Sequence, residues 1–126
     1  MTVVLDASAL LAVIRDEPGA EFVKPAMAGA LMSAVNVSEV IMRSTEKGFS
    51  SRLVHALLVA ERIDVVAFDM DLALKTAALR QVTRSNGLSF ADRACLATAI
   101  REKATALTAD RAWAGLDLPC PIEVIR

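Results

Sequence analysis

Four carboxylates stand in surroundings that ordinarily exclude charge. Asp6 ends the apolar run Thr2-Val3-Val4-Leu5, and Glu39 lies inside Ser33-Ala34-Val35-Asn36-Val37-Ser38-Glu39-Val40-Ile41. Asp92 follows Leu88-Ser89-Phe90-Ala91, and Asp110 ends Ala106-Leu107-Thr108-Ala109-Asp110. Burying an unpaired carboxylate is very costly, so an acid in apolar sequence needs a partner. Four such acids, spread from one end of the chain to the other, suggest convergence on a shared cation.

Each acid also has a plain structural explanation. Asp6 could cap the helix that follows it, since Asp is a favoured N-cap. Ser89-Phe90-Ala91-Asp92 fits a capping box with Asp in place of the usual Glu. Glu39 stands four residues before Arg43, the spacing of an ordinary helical ion pair. Asp110 could cap the turn Arg111-Ala112-Trp113. Two details weigh against these explanations. Glu39 shares a helical stripe with Val35 and Met42, while Val37, Val40 and Ile41 form a second apolar face, so its helix is expected to be largely buried. Asp6 and Asp110 each follow an apolar strand in echoing sequences, Asp6-Ala7-Ser8 and Thr108-Ala109-Asp110. A hydroxyl placed there could order a carboxylate or a water on the cation.

The elements that must position these acids alternate between strand and helix. Thr2 to Leu5 is a short continuous apolar run, fitting a buried parallel strand. Further strands are expected at Leu31 to Val35, Ile63 to Phe68, Thr105 to Thr108 and Ile122 to Ile125. Helices are expected from Ala7 to Arg15, from Ala20 towards Met27, and from Asn36 to Lys47 with Gly48 closing the last of these. Pro25 should end or kink the second. Three more follow: Ser50 or Ser51 to about Arg62, Asp69 to Ser85 before Asn86-Gly87, and Ser89 to about Lys103. Arg111 to Ala114 fits a single helical turn. Alternation of this kind implies crossovers and a parallel sheet covered on both faces. The expected fold is α/β, a three-layer α/β/α sandwich of about five short parallel strands flanked by six to seven helices. In such a sheet ligands bind beyond the carboxyl ends of the strands. All four acids fall in that layer of strand ends and helix starts.

Composition narrows the possibilities. The 126 residues argue for one domain spanning 1–126. Hydrophobic residues make up 55% of the chain, yet no stretch approaches the ~20 apolar residues of a membrane span. The N-terminus lacks a basic n-region and a small-residue cleavage site, so the expectation is a cytoplasmic protein without a signal peptide. Cys95 and Cys120 form no C-x-x-C, which agrees with a reducing compartment, and Cys95 reads as a small buried hydrophobe. Net charge is −1, so any polyanion must be held by local arginines and by metal. Aromatic residues are only 4%, which argues against extensive base stacking. His55 is the only histidine and has no evident nucleophile beside it, so a Ser-His-Asp or Cys-His arrangement and a His/Cys zinc site are poor fits. There is no G-x-x-x-x-G-K-[ST] and no G-x-G-x-x-G.

Four segments, taken in order, resemble one family. Val3-Val4-Leu5-Asp6-Ala7-Ser8-Ala9-Leu10, Ser33-Ala34-Val35-Asn36-Val37-Ser38-Glu39-Val40, Leu88-Ser89-Phe90-Ala91-Asp92-Arg93-Ala94 and Leu107-Thr108-Ala109-Asp110-Arg111-Ala112-Trp113 are similar to the PIN-domain family. More narrowly, they resemble the VapC-type ribonuclease toxins of bacterial toxin–antitoxin pairs. The resemblance implies a metal-dependent endoribonuclease whose acidic quartet is Asp6, Glu39, Asp92 and Asp110. Ser8, Asn36 and Thr108 fall at positions where the family often has polar supporting residues. Mg²⁺ or Mn²⁺ would suit such oxygen donors. One or two of these ions could activate water and offset charge on a scissile phosphate. Asp6 and Asp92 are expected as direct ligands, Glu39 as a ligand or water-orienting group, and Asp110 as part of a second site. Arg15, Arg43, Arg93 and Arg111 lie beside the motifs as candidate phosphate contacts or as partners of the acids. The implied partners are RNA, a homodimer mate and a VapB-type antitoxin, through which DNA would be met indirectly; no membrane is involved.

Three other classes share some of these features. Asp69-Met70-Asp71 after a strand mimics the D-x-D of haloacid-dehalogenase-like phosphatases, but it lies mid-chain, where that fold does not place its nucleophile. A phosphoacceptor receiver domain has similar length and alternation. It needs a pair of acids after the first strand and a Lys after the last, and neither is present. A non-catalytic α/β interaction domain would use the acids only as caps.

Overall fold

The computed structural model describes Met1–Arg126. The apolar runs become five short strands: β1 (Val3–Leu5), β2 (Leu31–Ser33), β3 (Asp64–Val66), β4 (Thr105–Thr108) and β5 (Ile122–Val124). They form one parallel sheet in the order β3-β2-β1-β4-β5. Six α-helices cover it: α1 (Ala7–Ile14), α2 (Ala20–Val23), α3 (Ala34–Glu46), α4 (Ser51–Ala60), α5 (Met70–Val82) and α6 (Phe90–Glu102). The three-layer α/β/α architecture expected from the alternation is therefore the one observed.

The strand period of two divides the core into layers. Val3 and Leu5 pack with residues of α1 to α4, among them Leu10, Val23, Val40, Val54 and Leu58. Val4 points to the opposite face and packs with Leu72 and Leu79 of α5, Leu96 of α6 and Trp113. Buried on both sides, β1 carries no polar residue before Asp6, which follows its carboxyl end. Cys95 lies in the second layer with no exposure, as a small hydrophobe. No helix is long and apolar enough to cross a membrane.

Sheet order decides where the site lies. From β1 the chain steps outward to β2 and β3, then returns to place β4 on the other side of β1. The strand order thus reverses between β1 and β4, the position where a crevice opens beyond the strand ends. The two strands pair in register, with Val3 opposite Thr105 and Leu5 opposite Leu107. Asp6 and Thr108 follow at their carboxyl ends, and the Asp6 amide donates to the Leu107 carbonyl at 2.9 Å.

Local boundaries follow local chemistry. Helix α2 stops at Val23 and tightens into a 3-10 turn, Lys24–Ala26, that contains Pro25. Helix α3 starts two residues before the expected Asn36, because Ser33 caps it by accepting from the Val35 amide at 3.2 Å. Gly48 ends it with φ +90°, a conformation that costs other residues a steric clash. One expectation fails. Helix α3 is not largely buried: only Asn36, Val40 and Ser44 are buried, and Met42 is 54% exposed. The helix has one inner stripe against α1 and α6 and presents the rest of its surface outward.

Candidate active site

Asp6 is the centre of the arrangement. It is only 4% exposed, and it stands at the N-cap position of α1 without capping it, because its side chain accepts no bond from a backbone amide of that helix. Its Oδ2 instead accepts two hydroxyl bonds, from Ser8 Oγ at 2.6 Å and from Thr108 Oγ1 at 2.9 Å. Those hydroxyls are themselves fixed. The Ala109 amide donates to Ser8 Oγ at 2.9 Å, and the Asp110 amide donates to Thr108 Oγ1 at 3.0 Å. Each hydroxyl therefore accepts from the turn after β4 and gives its one proton to Asp6. The echoing Asp-Ala-Ser and Thr-Ala-Asp segments are the two halves of this network.

The electrostatics of Asp6 are unfavourable. Burial raises its pKa from 3.8 to about 6, although the Ser8 and Thr108 bonds pull it down. The negative charges of Asp92 and Glu39 push it further up. The strain amounts to about 3 kcal/mol for keeping Asp6 ionised at neutral pH. A bound cation would remove it.

The other three acids have local partners. Asp92 closes the capping box of α6: its Oδ2 accepts from the Ser89 amide at 2.9 Å, and its own amide donates to Ser89 Oγ at 3.1 Å. Glu39, 22% exposed, pairs with Arg43 at 3.1 Å. Asp110 is exposed and caps the 3-10 turn Arg111–Gly115 by accepting from the Ala112 amide at 2.9 Å. The fold thus brings Asp6, Asp92 and Glu39 into mutual electrostatic range and leaves Asp110 at the rim.

No three His, Cys, Asp or Glu side chains stand close enough together to hold a metal ion as they are. The donor set nonetheless suits a hard cation, since it is entirely oxygen and burial disfavours the charge of its innermost member. A further oxygen is available. Asn36 is fully buried; its Nδ2 donates to the Ala91 carbonyl at 3.1 Å, and its Oδ1 has no partner. This bond ties the first turn of α3 to the first turn of α6, and so sets Glu39 relative to Asp92.

The arginines divide. Arg93 turns inward, where it donates to the Thr76 carbonyl at 3.3 Å and lies over the Phe90 ring, 6.0 Å from its centroid. Arg111 donates to the Arg126 carbonyl at 3.0 Å. Arg15 and Arg43 instead border a shared depression with Lys47, next to Glu39. The inward use of Arg93 had no signal in the sequence, because it depends on α5 packing beside α6. His55 is exposed on α4.

A family model described as the PIN domain matches residues 3–118. No curated protein matches the chain. Among solved structures, a DNA-bound VapBC from Salmonella typhimurium superposes with a TM-score of 0.75 at 18% identity, covering 100% of this chain and 99% of that one. A toxin–antitoxin complex from Klebsiella pneumoniae gives 0.72 at 19% identity, covering 95% and 99%. FitAcB from Neisseria gonorrhoeae gives 0.67 at 21%, covering 95% of each. At these identities the likeness is one of fold.

Proposed function

The chain belongs to the PIN-domain family, and from that premise we propose that it is a metal-dependent endoribonuclease acting as the toxin of a VapBC-type toxin–antitoxin pair. The observation that carries the proposal is Asp6. It caps nothing and is held by two hydroxyls; its pKa is pushed up by burial first, with two further acids adding to it. Such an arrangement opposes stability and is explained by a ligand that offsets the charge. Similar solved structures described as toxin–antitoxin complexes, one of them bound to DNA, support the toxin reading.

In this reading Asp6, Asp92 and Glu39 hold Mg²⁺ or Mn²⁺, with Asn36 Oδ1 as a neutral donor to the same region. The cation, when bound, supplies Lewis-acid activation of water and offsets charge on the scissile phosphate. Ser8 and Thr108 keep Oδ2 of Asp6 in place and leave its Oδ1 free. Asp92 retains one oxygen beyond the one used in its capping box. Glu39 is the candidate to orient the attacking water and to take up its proton. Asp110 would join a second ion only by giving up its bond from the Ala112 amide. Arg15 and Arg43 are the phosphate contacts best placed in the structure; Arg93 and Arg111 already have carbonyl partners. The protein would work in the cytoplasm as a single-domain homodimer, held inactive by a small VapB-type antitoxin that contacts operator DNA.

A non-catalytic interaction domain is the second reading, and the local pairing of Asp92, Glu39 and Asp110 favours it. Asp6 argues against it, because a cap would not be buried without capping. The test is incubation of single-stranded RNA with purified protein, with Mg²⁺ or Mn²⁺ and with chelator, for wild type and Asp92→Asn. Cleavage only by wild type with metal is expected. Cleavage that survives chelation, or an Asp92→Asn protein as active as wild type, would overturn the mechanism.

A further inference from the structure

We propose that the groove between α3 and α6 is a subsite for one unpaired nucleobase of the RNA, with the Phe90 ring as its stacking platform. The inference rests on the RNA-cleaving reading above and adds to it the part of the chain that would choose the base. The groove has a volume of about 400 Å³. Helix α3 contributes Ser38, Glu39, Met42 and Arg43, and the start of α6 contributes Ser89 and Phe90. Its walls are fixed relative to each other by the bond from Asn36 to the Ala91 carbonyl.

Phe90 is 51% exposed, yet it is held in place. The Phe68 ring meets it edge to face, with centroids 5.6 Å apart and planes at 80°, and the Arg93 guanidinium lies 6.0 Å from its centre. A ring fixed by two neighbours and still half exposed is pre-organised; the Arg93 guanidinium covers one face, so a base would stack on the other and little freedom would be lost. The polar groups suit a base edge and its phosphate. Ser89 Oγ accepts from the Asp92 amide and keeps its own proton to donate, and Ser38 is exposed. Arg43 gives one nitrogen to Glu39 and retains further N–H groups.

Glu39 links the groove to chemistry, because it belongs both to the groove lining and to the charges acting on Asp6. A base on Phe90 would therefore belong to a nucleotide next to the scissile phosphate. The other half-exposed phenylalanine, Phe22, lies on α2, and Phe49 lines a separate apolar depression with Val13 and Leu53. One stacking position is what a chain with 4% aromatic residues provides.

The experiment uses the full chain and steady-state cleavage of single-stranded RNA in Mg²⁺ by wild type, Phe90→Ala, Phe90→Leu and Phe90→Trp. Product ends are sequenced, mass is followed by light scattering, and melting temperature serves as the folding control. Loss of one stacked base corresponds to roughly 5- to 150-fold in binding. Phe90→Ala and Phe90→Leu are expected to raise KM within that range, with kcat changed less than about threefold and base preference beside the cut lost. Phe90→Trp should restore both. An active wild type with a Phe90→Leu protein of unchanged KM and preference overturns the subsite and leaves the nuclease reading intact. A Phe90→Ala protein that loses dimer mass at unchanged KM assigns the ring to a second copy of the chain and also overturns it. A folded wild type that cleaves no RNA in any metal overturns the nuclease reading, and the subsite with it.

Discussion

Two groups of acids follow strands in this molecule, and their environments are opposite. At the end of β1, Asp6 is buried and pushed up to about 6, mainly by burial, with Asp92 and Glu39 adding repulsion. After β3, Asp69 and Asp71 are exposed and both pulled below the ordinary carboxylate range. Asp69 accepts from the Leu72 amide as the N-cap of α5 and pairs with Arg101 at 3.0 Å. Asp71 pairs with Lys75 and with Arg101. Both sites present acids at the carboxyl end of a parallel strand, and the Asp69-x-Asp71 spacing is the more conspicuous in sequence. Satisfaction, rather than spacing, separates them: Asp69 and Asp71 are paired with cations of the chain, whereas Asp6 is held by two hydroxyls alone.

The largest effect expected from this contrast is on cleavage. Asp6→Asn should lower RNA cleavage by about 10²–10³-fold, the scale set by losing one electrostatic stabiliser at a reacting centre. Asp71→Asn, in the paired cluster, should stay within about twofold of wild type. Equal losses for the two in a gel or fluorogenic assay would erase the distinction.

The next effect is on stability without metal, and its sign is unusual. Asp6 has a native pKa of about 6 against 3.8 for an ordinary Asp, so between these values the native state holds more protons than the unfolded chain. Stability should therefore fall as pH rises from about 4 to 6, and remain lower above that. In chelator at pH 8, Asp6→Asn should be more stable than wild type by up to about 3 kcal/mol, a difference that disappears near pH 4. Thermal melts across pH measure it. A less stable Asn variant at pH 8, or a gain independent of pH, would contradict the frustrated state of Asp6.

The smallest effect belongs to the paired cluster and has the opposite sign. Asp69→Ala removes a cap and an ion pair, so it should lower the urea midpoint. Because the Asp69 pKa is lowered, that contribution is present at neutral pH and lost as pH falls through its native value. Urea titrations at neutral and acidic pH should show the two proteins converge in acid.

Much of the scaffold was legible because its signals are local. β4 begins and ends where the apolar run does, and Pro25 and Gly48 mark the helix ends. The layer that holds the acids was legible as well, since a parallel sheet aims every strand end at one edge. Burial of α3 was not. Val35 and Met42 look like core in one dimension, but which stripe of a helix faces inward depends on where α1 and α6 pack. The local explanations for Asp92, Glu39 and Asp110 proved correct as geometry, and only Asp6 departed from its expected cap. That departure required Thr108, about a hundred residues away, and so could be guessed from the echoing motifs but not read from either alone. Phe90 and Arg93 were hidden for the same reason: their roles are set by α5 and the end of β3.

The central claim is that the buried Asp6 belongs to a cation site. Calorimetric titration of Mn²⁺ at pH 7.5 into metal-free wild type and Asp6→Asn tests it most directly. Wild type should bind at or below millimolar metal, and Asp6→Asn should lose that binding while the protein stays folded. Absence of heat from wild type at millimolar Mn²⁺, or an Asp6→Asn protein that binds equally well, would contradict it.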